Sequence, residues 1–158
     1  MKTLGIDPGL ANTGIALIEG RNILFTEVLR LKTLQVGEAV AKTLSKVSQE
    51  DYAGTAIERF ASYGTAVGVT EQISYFIGGL VVFCREPFLI RAIDWKTQVS
   101  QAIYLEGYRN PGATLDKKFS LSAAEFVFNQ KFKTDHEADA ALLAFWRTLP
   151  KAKNSLVL

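Results

Sequence analysis

Residues 2–9 read KTLGIDPG, a short apolar run that ends in an acid, a proline and a glycine. The run predicts a buried strand, and the Asp-Pro-Gly at its end is a turn signal. Thr13–Glu19 and Ile23–Arg30 predict two more strands, which turn residues at 20–22 connect. Because all three strands have short connections, they predict an antiparallel meander.

Farther along the chain, the apolar pattern alternates between helix and strand periods. It predicts a helix over 35–49, a strand over 53–58, a helix over 69–84 and a strand over 87–93. Three more helices are predicted over 94–104, with Asp94 as the N-cap, and over 115–129 and 136–146. A meander followed by two crossover units predicts an α/β fold, with a mixed five-stranded sheet and helices on both faces.

The composition is that of an ordinary globular chain. Its 158 residues fit one domain, predicted over 1–149, with a flexible tail over 150–158. A net charge of +2 permits nucleic-acid binding without indicating it. The single cysteine, Cys84, excludes an internal disulfide and is predicted to be a buried thiol. No signal peptide or membrane-spanning run is visible, so we expect a cytoplasmic protein.

Acidic residues stand where two predicted strands end. Asp7 ends the first strand and Glu58 the fourth, and ligand sites in such sheets favour the carboxyl ends of strands. A late helix carries His136 and Asp139, which share a face because residues three apart on a helix are neighbours. Alone, each has an ordinary explanation. Asp7 could make an Asx turn, and Glu58 could pair with the neighbouring arginine. His136 could stand beside a helix cap, and Asp139 could be solvated. Together they predict a metal site.

Three motifs resemble those of the RuvC family of Holliday junction resolvases. LGIDPG at 4–9, followed by Thr13-Gly14, resembles its first strand and turn. AIE at 56–58 resembles its second acidic strand end, and HEADA at 136–140 its C-terminal catalytic helix. IDWK at 93–96 resembles a segment before a helix in phage-type members. The resemblance implies a ribonuclease H-like fold, a homodimer and magnesium-dependent cleavage of four-way junctions.

The same resemblance implies which residues form the metal site and carry the catalysis: Asp7, Glu58, His136 and Asp139. Many family members have an acid where His136 stands, and Asp135 is an alternative ligand. We expect Asp7 to bridge two ions, and His136 to be either a ligand or the base that deprotonates water. Because imidazole suits Mn²⁺ better than Mg²⁺, manganese is also expected to support activity.

Basic and aromatic residues near these acids predict contacts to branched DNA. Aromatic rings stack on bases opened at a junction, and cationic side chains bind phosphates. The alternatives are burial in the core for the phenylalanine and ordinary solvation for the lysines. The predicted DNA contacts are Arg59, Phe60, Tyr63, Lys96, Lys117 and Lys118.

The predicted helix over 69–84 is apolar nearly all round, which fits either a core helix or a dimer contact.

Two other classes of function stay open. An ATP-binding protein of the actin and sugar-kinase type has a similar Gly-Ile-Asp opening, although 158 residues leave little room for its second domain. The other class keeps the fold but binds junctions without cleavage, or acts on forks, flaps or RNA.

Overall fold

A five-stranded mixed sheet forms the centre of the protein, whose computed structural model describes residues 1–32, 35–60, 67–112 and 114–150. The strands are β1 (Lys2–Asp7), β2 (Asn12–Glu19), β3 (Asn22–Arg30), β4 (Gly54–Arg59) and β5 (Pro87–Arg91). Their order is β3-β2-β1-β4-β5. β1, β2 and β3 pair in antiparallel fashion, whereas β4 runs parallel to both β1 and β5. The predicted mixed sheet is therefore confirmed.

Helices cover both faces of this sheet. They are α1 (Val36–Ser45), α2 (Val67–Phe83), α3 (Ala92–Tyr104), α4 (Lys117–Phe128) and α5 (Asp135–Thr148). α1 and α2 bury one apolar cluster against the sheet, and α3, α4 and α5 bury another on the opposite face. Within the described ranges, none of the helices has the length and apolar character needed to cross a membrane. The predicted tail lies, apart from Pro150, outside the described residues.

The start of α3 differs from the sequence prediction. β5 ends at Arg91 and α3 begins at Ala92, so the predicted strand end at Ile93 and the N-cap at Asp94 are wrong. Arg91 occupies the N-cap, and its guanidinium donates hydrogen bonds of 2.7 and 2.9 Å to the Asp94 carboxylate. An acid in the first turn is favourable beside the positive end of the helix dipole. Asp94, although aspartate is typical of N-caps, therefore lies inside the first turn of the helix.

α5 packs on the sheet through residues without bulky side chains. A Cβ added at Gly5 would overlap the carbonyl oxygen of Ala140 and the amide nitrogen of Ala144. A Cβ added at Gly14 would overlap the carbonyl oxygen of His136. The backbone of α5 therefore lies directly against β1 and β2, which fixes its height above the end of β1.

Candidate active site

The register of two parallel strands places the first two acids of the site. Ile6 on β1 lies opposite Ile57 on β4, so Asp7 and Glu58 follow at neighbouring strand ends. Because side chains alternate between the faces of a sheet, both acids point to the face that α3, α4 and α5 cover. The structure thus brings together two residues that are far apart in the sequence.

α5 adds the next two predicted residues. A capping box between Thr134 and Glu137 fixes its start. One turn of the helix then presents His136 and Asp139 on the face toward the strand ends. The Nδ1 atom of His136 lies 2.6 Å from Oδ2 of Asp7. Asp139 is 14% exposed, and its Oδ1 atom is buried without a hydrogen-bond partner among the described residues.

α3 supplies one contact to Glu58 and one to Asp139. The indole N–H of Trp95, a fully buried residue, donates a 2.8 Å hydrogen bond to Oε2 of Glu58. The ammonium of Lys96 lies 3.2 Å from Oδ2 of Asp139, and the side chain is only 13% exposed. Trp95 was not among the predicted site residues, and the IDWK resemblance was the one signal at its position. Lys96 stays a predicted DNA contact, although its ammonium already has an acid partner.

The oxygen atoms of the site suit a divalent cation, although the described side chains are not arranged around a common ion position. Among the described residues, no three His, Cys, Asp or Glu side chains lie close enough together to hold one ion. The acids bind His136, Trp95 and Lys96 instead. Carboxylate oxygens are nevertheless the ligands that Mg²⁺ prefers, and the unpartnered oxygen of Asp139 is one such donor.

Three ionisable groups of the cluster have shifted pKa values. Burial raises the pKa of Glu58 to about 7; the charges of Asp7 and Asp139 contribute to the rise, and Trp95 and Lys96 oppose it. Burial likewise raises the pKa of Asp139. The hydrogen bond to Asp7 raises the pKa of His136. Neighbouring buried acids with raised pKa values are typical of functional sites.

Replacing Glu58 with glutamine is expected to stabilise the protein above pH 7 in the presence of a chelator. The folded chain holds the proton of Glu58 up to about pH 7, whereas the unfolded chain loses it near 4.5. Wild-type stability therefore falls as pH rises through this window, by up to about 3 kcal/mol. Urea unfolding at about pH 5 and about pH 8 measures the difference. Glu125→Gln, on the exposed side of α4, is the control, and equal pH dependence in Glu58→Gln and wild type would contradict the expectation.

The residues after Glu58 occupy different environments. Arg59, the last residue of β4, is exposed. Phe60 is half-buried and packs against the apolar cluster of α1 and α2. Tyr63 lies outside the described residues. Stacking on DNA by the two aromatic residues stays a prediction.

α4 begins with two lysines, of which Lys117 interacts with residues of the site. Lys117 forms an ion pair with Asp135 across 2.7 Å, and its ammonium also interacts electrostatically with Asp7 and Asp139. Asp135, the alternative ligand, therefore has a lysine partner in this arrangement. Lys118 is exposed on the first turn of α4. Contact of these lysines with DNA phosphates stays a prediction.

Comparison with solved structures gives the fold its name. No family model and no curated protein matches the sequence. T. thermophilus RuvC in complex with a Holliday junction substrate superposes with a TM-score of 0.69 at 18% identity, covering 98% of this chain and 97% of that one. The chain has the RuvC fold. A second Thermus thermophilus RuvC structure matches with a TM-score of 0.68 at 18% identity over 93% of each chain.

The RuvC fold accounts for almost the whole chain. A Fowlpox virus resolvase, solved with substrate Holliday junction DNA, is a more distant match, with a TM-score of 0.51 at 13% identity over 90% of this chain and 94% of that one. The ribonuclease H-like fold implied by the sequence motifs is therefore confirmed.

Proposed function

We propose that the protein is a metal-dependent endonuclease that cleaves Holliday junctions and other branched DNA. The observation that carries the proposal is the acid cluster. Asp7 and Glu58 leave neighbouring parallel strands on one face, and Asp139 lies beside them on α5. The RuvC and Fowlpox virus resolvase structures of similar fold hold Holliday junction DNA, which supports this substrate.

The chain's own residues divide the work of phosphodiester hydrolysis. A pair of divalent cations, when bound, activates a water molecule and stabilises the leaving oxygen. We assign Asp7 as the shared ligand, because it contacts His136 and acts electrostatically on Glu58 and Asp139. Glu58 and Asp139 would hold one cation each, and the hydrogen bond from Trp95 orients the Glu58 carboxylate.

His136 is placed to accept a proton. Its Nδ1 atom faces the Asp7 carboxylate, so a proton held between these two atoms leaves Nε2 as the acceptor. The imidazole is 35% exposed, which lets water reach it. We therefore assign His136 as the general base that deprotonates the attacking water.

The decisive experiment is incubation with a labelled synthetic four-way junction, with a linear duplex and a Y-shaped DNA as controls. We expect cleavage of the junction in Mg²⁺ and in Mn²⁺ but not in a chelator, because carboxylate ligands suit both cations. Binding without cleavage, or equal cutting of the linear duplex, would overturn the proposed function.

We further propose that the protein acts as a homodimer through α2. One face of this helix is in the monomer core, including Ile73, Phe76 and Leu80. Val82 and Phe83, at the C-terminal end of the helix, are exposed, as is typical of interaction surfaces. A two-fold dimer would present two sites symmetrically to a junction. Light scattering at micromolar concentration tests this, and a monomer would reject it.

Neutralising Lys118 is expected to weaken junction binding and to flatten its salt dependence. If the lysine contacts a phosphate, Lys118→Ala lowers the slope of log K against log salt concentration by about one. Lys117→Ala is expected to act in the same direction but more weakly, because Lys117 already pairs with Asp135. Binding isotherms at several salt concentrations measure the slope. Lys42→Ala, on α1, is the charge-matched control, and slopes equal to the wild-type value would exclude the phosphate contacts.

A further inference from the structure

Lys96 differs from the other lysines predicted to contact DNA. Its ammonium donates hydrogen bonds to Oγ of Ser120 at 3.1 Å and to Oδ2 of Asp139 at 3.2 Å, and it lies 5.1 Å from the centre of the Trp95 ring. A charged group in so enclosed a place needs an anion beside it, and Asp139 is that anion. Lys118, by contrast, is exposed.

α3 thus contacts two different acids with two consecutive residues near its start. Trp95 binds Glu58 and Lys96 binds Asp139, and the charge of Lys96 also acts on Glu58. Consecutive side chains on a helix point about 100° apart, so one turn spans both acids. The ammonium therefore stands among carboxylates that the proposed function assigns to cation binding.

We propose that Lys96 is a positioning residue that shares Asp139 with the bound divalent cation and thereby weakens cation binding at the acid cluster. This inference rests on the proposed function and adds a regulator of metal affinity to it. A fixed positive charge repels a divalent cation bound to the same carboxylate. The ammonium also limits the repulsion between Asp139 and Glu58, which are both buried acids.

Titration with Ca²⁺ without DNA tests the proposal, because Ca²⁺ takes oxygen ligands and the readout is binding rather than cleavage. Calorimetry compares wild type with Lys96→Met at a pH above the pKa of Glu58. We expect the variant to bind Ca²⁺ at least about fivefold more tightly. Without cation, its thermal midpoint is expected to fall, because the acids lose their counter-charge.

Two further variants make the result specific. Lys42→Met removes the same charge from an exposed position on α1, where the ammonium binds the carbonyl oxygen of Arg30, and its Ca²⁺ affinity is expected to equal that of wild type. Lys96→Gln removes the charge but keeps a polar group for Ser120 and Asp139, and it carries the test if Lys96→Met does not fold.

The possible outcomes separate the two proposals. Tighter Ca²⁺ binding in a neutral Lys96 variant, but not in Lys42→Met, supports the inference. Binding that is unchanged or weaker in the Lys96 variant overturns the inference and leaves the metal site standing. Absence of Ca²⁺ binding by the wild-type protein and by both Lys96 variants overturns the metal site as well.

Discussion

Replacing Asp7 with asparagine is expected to reduce junction cleavage by roughly a thousandfold or more while junction binding persists. Asparagine has the shape of aspartate but lacks the negative charge that a bridging metal ligand requires. Its amide oxygen still accepts a hydrogen bond from Nδ1 of His136, so the local geometry survives. Single-turnover cleavage and gel-shift binding of the same labelled junction measure the two effects separately.

The control for this variant is Asp51→Asn, which removes an acid whose exposed side chain pairs only with Arg85 among the described ion pairs. It is expected to cut and bind as wild type does. Simultaneous loss of binding and cleavage in Asp7→Asn would mean that the acid is structural. Cleavage at the wild-type rate would mean that the site lies elsewhere.

Replacing Gly5 with alanine is expected to lower the free energy of unfolding by about 3 kcal/mol or more. The new Cβ would overlap backbone atoms of Ala140 and Ala144, and a helix backbone cannot move aside as a flexible side chain can. α5 would have to lift from β1 as a unit. Urea unfolding, with the midpoint and slope determined for each variant, measures the loss.

Gly37→Ala is the matched control for this substitution. Gly37 lies in α1 and has no atom within 4 Å of an added Cβ. Since alanine is the better helix former, this change is expected to stabilise the protein by up to about 1 kcal/mol. Similar stabilities for the two variants would show that α5 does not approach β1 as closely as described.

Much of the sheet was predictable because its signals are local. A buried run that ends in Asp-Pro-Gly marks both a strand and its end, so β1 was predicted from residues 2–7 with its observed bounds. The helical spacing of His136 and Asp139 likewise predicted a shared face, and α5 presents both toward the strand ends. Confirmation of the ribonuclease H-like fold rests on the comparison of structures.

The contacts of α3 were not predictable in the same way. Trp95 meets Glu58 from 37 residues away along the chain, and Lys96 meets Asp139 from 43 residues away. Such contacts depend on how α3 crosses the sheet, and no local spacing encodes that angle. Lys96 was therefore predicted from its charge alone to contact phosphate, and its acid partner emerged only from the packing.

The register between β1 and β4 restricts where the chain tolerates insertions and deletions. Deleting a single residue within β4 would turn Glu58 to the opposite side, toward α1 and α2, because a shift of one reverses every side chain. Added residues in the connection between β3 and α1 would leave this register untouched, since loops tolerate changes of length. Length variation compatible with catalysis is thus confined to the connections, and the interiors of the two paired strands admit none.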